Sequence, residues 1–157
     1  MADASYGPKT YHKQGGDEFV IASGGKITVE TGGVIDNKGA VQGATIVVGA
    51  EITNVRIITI QLTDANGADI AHSAAVQIAV LADANGDAFV TTGGSTGIAI
   101  GTDGALLTIV AKKAFLATSE ADGDIDLTWT DTGTEAAYLA VILPNGRMII
   151  STAMTNT

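Results

Sequence analysis

The sequence predicts an all-β protein, in which a short glycine-paced β module with an extended amino-terminal arm is followed by an immunoglobulin-like β-sandwich. Three observations predict it. Apolar and polar residues alternate with a period of two over many short stretches, and glycine-bearing turn signals separate those stretches. Helix is hard to place anywhere: Thr134 to Ala137 is the one weak candidate and reads better as a corner before a strand. Composition agrees, with 46% hydrophobic and 16% charged residues, 20 glycines, and prolines only at Pro8 and Pro144. That balance is globular and far from the signature of disorder.

The elements follow in chain order. Residues 1–14 show no core periodicity but hold Tyr6, Tyr11, His12 and Lys13, residue types that anchor interfaces, and are expected to form an extended docking arm. Residues 15–53 form the glycine-paced module. Ser23-Gly-Gly-Lys-Ile-Thr-Val-Glu30 is followed at once by Thr31-Gly-Gly-Val-Ile-Asp-Asn-Lys38, a repeat of eight residues. Each copy reads as a strand-turn unit whose glycines permit the bend. Its apolar residues, Ile27, Val29, Val34 and Ile35, are too few to exclude water unaided, so the segment needs either the rest of the chain or further copies of itself. A degraded third repeat at Gly39 to Val41 and a strand over Thr45 to Val48 lead to a boundary between residues 50 and 54.

The sandwich is expected over residues 54–157. Val55, Ile57, Ile60 and Leu62 open it, and Val76, Ile78 and Val80 alternate with Gln77, Ala79 and Leu81. Further strands are predicted at Leu106 to Val110, Phe115 to Ala117, Ile125 to Trp129, Tyr138 to Leu143 and Met148 to Ile150. Asp64-Ala-Asn-Gly67, Asp83-Ala-Asn-Gly86, Gly93-Gly94, Asp103-Gly104, Asp122-Gly123 and Asn145-Gly146 supply left-handed residues where the chain reverses. Tyr138 is placed to act as a tyrosine corner. The cysteine-tryptophan-cysteine spacing of antibody domains is missing, so the prediction concerns architecture alone.

Charge divides the chain. Residues 1–38 carry four lysines against five acids, whereas residues 39–157 carry four basic residues against twelve acids, so −8 of the net −9 belongs to the second part. An acidic body repels nucleic acid, while a nearly neutral front can dock with little charge penalty. Cysteine is absent, which excludes disulfides and thiolate metal sites. The first residues lack the pattern of a signal peptide and no apolar run approaches the roughly 18 residues of a membrane span, so a soluble chain made in the cytoplasm is expected.

Motifs for chemistry do not survive their spacing. Asp83-Ala-Asn-Gly-Asp87 resembles the start of an EF-hand loop, but its glycine comes too early and Gly94 stands where the bidentate glutamate belongs. The copy at Asp64 to Asp69 shares only the turn type. Asp124 and Asp126 alternate outward from Ile125, Leu127 and Trp129, which describes a solvated strand face. His72 and Ser73 are neighbours and would point to opposite faces of a strand. Gly93-Gly-Ser-Thr-Gly97 lacks the Gly-Lys-Ser/Thr ending of a phosphate loop and reads as a hairpin connection. Trp129 is assigned to the core. No catalytic, cofactor or metal residues are expected, and the chain is not read as an enzyme.

The run from Lys9 to Glu30 resembles the amino-terminal signature of tailed-bacteriophage head decoration and head-fibre proteins. Gly97 to Leu107, Glu120 to Thr128 and Leu143 to Arg147 are similar to β-rich domains of phage virion proteins. The resemblance implies a non-enzymatic homotrimer on the capsid exterior of the virion, made in the host cytoplasm and bound to the major capsid protein. In that picture Tyr6, Tyr11, His12 and Lys13 contact the shell, Ile27, Val29, Val34 and Ile35 close a shared trimer core, and the sandwich faces outward, where a host-surface glycan is a conceivable ligand. A tail or fibre component and a carbohydrate-binding adhesin module are the alternatives. Neither nucleic acid nor membrane is expected as a partner.

Overall fold

The computed structural model describes residues 10–12, 19–28, 30–31 and 40–157. The chain divides into two compact units, Met1–Asp36 and Asn37–Thr157. In the first, β1 (Thr10–His12) pairs antiparallel with β2 (Phe19–Ile21), with Thr10 opposite Ile21 and His12 opposite Phe19. Tyr11 and His12 thus belong to a paired strand. Backbone amides in an extended segment need partners, and β2 supplies them. The turn of the first repeat forms as predicted, with Gly24 at φ 75° and the Gly25 amide donating to the Ala22 carbonyl at 2.8 Å. The strand expected after it does not form at residues 25–28, and Ile27 is 46% exposed. The alternation was legible, but no neighbouring strand within the described part of this unit answers it.

Among its described residues the second unit holds nine strands: β3 (Gly43–Val48), β4 (Val55–Thr63), β5 (Ala75–Leu81), β6 (Gly97–Ile100), β7 (Ala105–Val110), β8 (Ala114–Thr118), β9 (Asp124–Thr130), β10 (Tyr138–Ile142) and β11 (Met148–Ala153). They build two antiparallel sheets, one ordered β3-β4-β9-β6 and the other β11-β10-β5-β8-β7. The connectivity follows the immunoglobulin pattern. β3, β4, β9 and β6 take the places of strands A, B, E and D, while β5, β10 and β11 take those of C, F and G. The β7–β8 hairpin is an addition beyond the β5 edge.

One boundary moves. β3 pairs with β4 from Gly43 opposite Thr63 to Val48 opposite Ile58, so it is an edge strand of the sandwich rather than the tail of the glycine-paced module. Val41, just before it, is buried in the sandwich core. The division therefore falls near residue 37 instead of residue 54. The hairpin that follows turns at Thr53 and Asn54, with φ of 52° and 65°, and Ile52 and Val55 exchange backbone hydrogen bonds across it. This is the two-residue turn whose twist suits antiparallel strands.

The core lies between the sheets. β4 contributes Ile58, Ile60 and Leu62, β9 contributes Ile125, Leu127 and Trp129, and across from them lie Val76, Ile78, Val80, Phe115, Leu139 and Val141. Each fully buried aliphatic side chain stabilises the fold by roughly 1.5–3 kcal/mol relative to an exposed one. The period of two fails once. Ala79 and Leu81 face away from this core yet are also buried, forming a second cluster with Ala140. The chain that leaves β5 folds back there, pairing Phe89 with Leu81 and setting Gly86 against Met148. β6 escaped the sequence because four residues with only Ile98 turned inward carry no alternation.

Turn chemistry was legible in detail. The Asp64 carboxylate accepts the amides of Asn66 (2.8 Å) and Ala68 (3.0 Å), and the Asp83 carboxylate accepts those of Asn85 (2.8 Å) and Gly86 (2.9 Å). Gly67 and Gly86 then take φ of 79° and 86°, a region costly to any other residue. The two acids close the same kind of turn.

Candidate functional site

The five strands of the larger sheet contain no charged residue at all. On its outer face the register aligns Leu107, Leu116, Gln77, Ile142 and Met148 in one row across every strand. A second row runs Val110, Ala114, Ala79, Ala140 and Ile150. A sandwich normally turns polar residues outward here. The folded-back segment after β5 covers one end, but Leu107, Ile109 and Val110 remain 65%, 60% and 51% exposed. Tyr138 packs its ring against the Ala79, Leu81 and Ala140 cluster, so it is part of this face and does not make a tyrosine corner.

The smaller sheet carries the charges. Asp124 and Asp126 alternate outward along β9 as expected, and Asp103, from the turn before β7, joins them so that one oxygen of each lies within 4.8 Å of the others. Thr59 donates its hydroxyl to Asp126 at 2.9 Å, while one oxygen of Asp124 is buried without a hydrogen-bond partner. Burial first, and the charge of Asp126 second, push the Asp124 carboxyl above the usual carboxylate range. Oxygen donors at this spacing are of the kind that hold a hard cation. An open cleft of about 700 Å³ lies beside them, lined by Asp69, Asp103, Glu120 and Asp122.

Residues 91–96 do not form a hairpin; they cross from the larger sheet to β6 in the smaller one. The crossing wraps one carboxylate. Glu135 accepts the amides of Thr92, Gly93 and Gly94 at 2.8–2.9 Å and the Thr92 hydroxyl at 2.6 Å. Burial alone would raise its pKa, but these donors outweigh it, the Thr92 hydroxyl most, and hold it at about 2. Asp131 takes the Ser95 amide, and Lys112 donates to the carbonyls of Gly94 and Ser95. Gly94 must be glycine, since a Cβ would meet the Trp129 ring at 2.8 Å. An amide cradle of the phosphate-binding type is thus present, and the chain's own glutamate fills it.

Arg56 ties the β3–β4 hairpin to the end of the chain. It donates to the Gly49 carbonyl, the Thr155 carbonyl and the Asn156 side chain at 2.8–3.1 Å. Asn156, 1% exposed, passes the connection on to the carbonyls of Asn54 and Asp131.

Of the residues singled out in the sequence, Tyr6, Lys13, Val29, Val34 and Ile35 lie outside the described residues. Tyr11 and His12 sit on β1 opposite Val20 and Phe19, and Ile27 is exposed. His72 and Ser73 lie in an exposed bend, not on a strand. Trp129 is wholly buried, as its assignment to the core requires, with an indole N–H that meets no acceptor. Glu135 and Arg56 were missed. Arg56 is a lone charge in an apolar strand and Glu135 one in a polar loop, and only the fold reveals what each holds. Comparison with protein-family models, with curated proteins and with solved structures finds no match.

Proposed function

We propose that this chain is a structural, non-catalytic protein of a tailed-phage virion that decorates the outer surface of the capsid. The observation that carries the reading is the uncharged outer face of the five-stranded sheet on a chain of net charge −9. An acidic protein that keeps one broad face free of charge has a surface that meets another protein without burying an unpaired ion. The sequence resemblance to head decoration and head-fibre proteins supplies the partner, the major capsid protein. The exposed Ile27 supports threefold association of the front unit, since copies of the same repeat would cover it. Many modest contacts made by three linked chains then add up to firm attachment.

The test is co-sedimentation of the purified protein with empty phage shells that lack it. Saturable binding that survives 0.5 M salt is the expected result. Failure to bind shells, together with retention on a glycan matrix, would replace this reading by the adhesin.

A further inference from the structure

We infer that β7 is a self-association edge, pairing antiparallel with β7 of a second copy to extend the five-stranded sheet into a ten-stranded one. β7 ends its sheet, so one side of Ala105–Val110 has hydrogen-bonding groups that no strand among the described residues answers. Natural edges are usually blunted by lysine, proline or an inward charge. Ala-Leu-Leu-Thr-Ile-Val has none of these, and Leu107, Ile109 and Val110 are more than half exposed. The single irregularity in the β7–β8 pairing, between Thr108 and Val110, leaves the Ala105 to Thr108 stretch regular.

Charge selects the occupant. Asp103 precedes β7 and Lys113 follows it, while Lys112 is held by the Gly94 and Ser95 carbonyls. Antiparallel pairing about the middle of the strand carries Asp103 of each copy to the end where the other presents Lys113, so two opposite-charge meetings flank an uncharged centre. Parallel pairing would set Asp103 against Asp103. A two-fold contact is self-complementary by construction, and this strand with its flanks has that complementarity written into its order. Continuing the sheet also extends the apolar row at Leu107 and Leu116 into its counterpart on the second copy. The contact involves the sandwich alone and does not depend on threefold association of the front unit.

The experiment is light scattering on the full chain over a hundredfold range of concentration. Wild type is expected to reach twice the mass of the Leu107→Lys variant, whether the smaller species is one chain or three, so failure of the trimer proposal and failure of this one are read separately. Lys113→Glu, which leaves the strand intact but sets like charges at both ends, is expected to weaken the association at least tenfold. Val47→Lys, equally exposed on the other sheet, is the control and should change nothing. Equal masses for wild type and Leu107→Lys would overturn the inference, and so would halving by Val47→Lys alone. Circular dichroism on each variant checks that the fold survives.

Discussion

The two sheets bury similar inner faces and differ in their outer ones. β4 and β9 of the smaller sheet turn out Thr59, Gln61, Asp126 and Thr128 and hold Arg56, whereas the larger sheet turns out leucine, isoleucine and alanine. Inward packing needs apolar residues on both, so the inner faces record the requirement to fold. The outer faces are under no such requirement. Their divergence is what the proposed docking of the larger sheet on another protein would account for, although Val47 and Ile57 are exposed on the smaller sheet too.

Leucine gives the sharpest way to break that comparison. Leu127→Ala, on the inner face of the smaller sheet, is expected to cost about 3 kcal/mol in denaturant unfolding, since Leu127 is wholly buried. Leu107→Ala, on the outer edge of the larger sheet, should change stability by no more than about 0.5 kcal/mol while reducing association. Comparable losses of stability would mean that the outer face is part of the core after all. Arg56→Ala comes next, at about 2 kcal/mol, because it strips a charged donor from three acceptors at once. Amide exchange at residues 154–156 should accelerate in step, while the β7–β8 hairpin stays protected.

Two carboxylates sharpen the comparison through pH. Glu135→Gln should cost about 1.5 kcal/mol at neutral pH through loss of the charge-assisted bonds to Thr92, Gly93 and Gly94. Its folded pKa of about 2 lies below the ordinary carboxylate value of 4.5, so its stabilising contribution is complete above the unfolded pKa and is lost as pH falls through about 2. Asp124 runs the other way. With a pKa raised by burial and by Asp126, its ionised form is disfavoured in the folded state, so protonation relieves the fold as pH drops toward that raised value. Asp124→Asn is accordingly expected to raise stability at pH 7 by up to about 0.5 kcal/mol, the smallest of these effects, measured as a gain in thermal midpoint.

The sandwich was legible because its signals are local. Ile125, Leu127 and Trp129 alternate within five residues, and Asp64 and Asp83 sit beside the very amides they cap. What escaped was decided by contacts distant in the chain. β3 joins the sandwich because β4 lies alongside it, and Asp103 meets Asp124 and Asp126 because the turn before β7 lies against β9. Glu135 reaches back more than forty residues to fill the Thr92 cradle. Neither the sequence nor the fold alone distinguishes Leu107 from a core leucine until its neighbour is missing. The front unit marks the opposite limit: Ile27 has the right period for a strand, yet none forms among the described residues around it.

The want of ionic side chains throughout the larger sheet also bears on how the chain reaches its native form. As a nascent polypeptide it displays several sticky segments, such as Tyr138 to Leu143, before their neighbours have been synthesised, and such stretches coalesce readily. Acidic connections punctuate them, with Asp83 and Asp87 after β5 and Glu120 and Asp122 after β8, and so act as gatekeepers that keep unfolded molecules apart. That protection fades as the acids titrate, so recovery from denaturant should drop steeply near the isoelectric point of about 4.3.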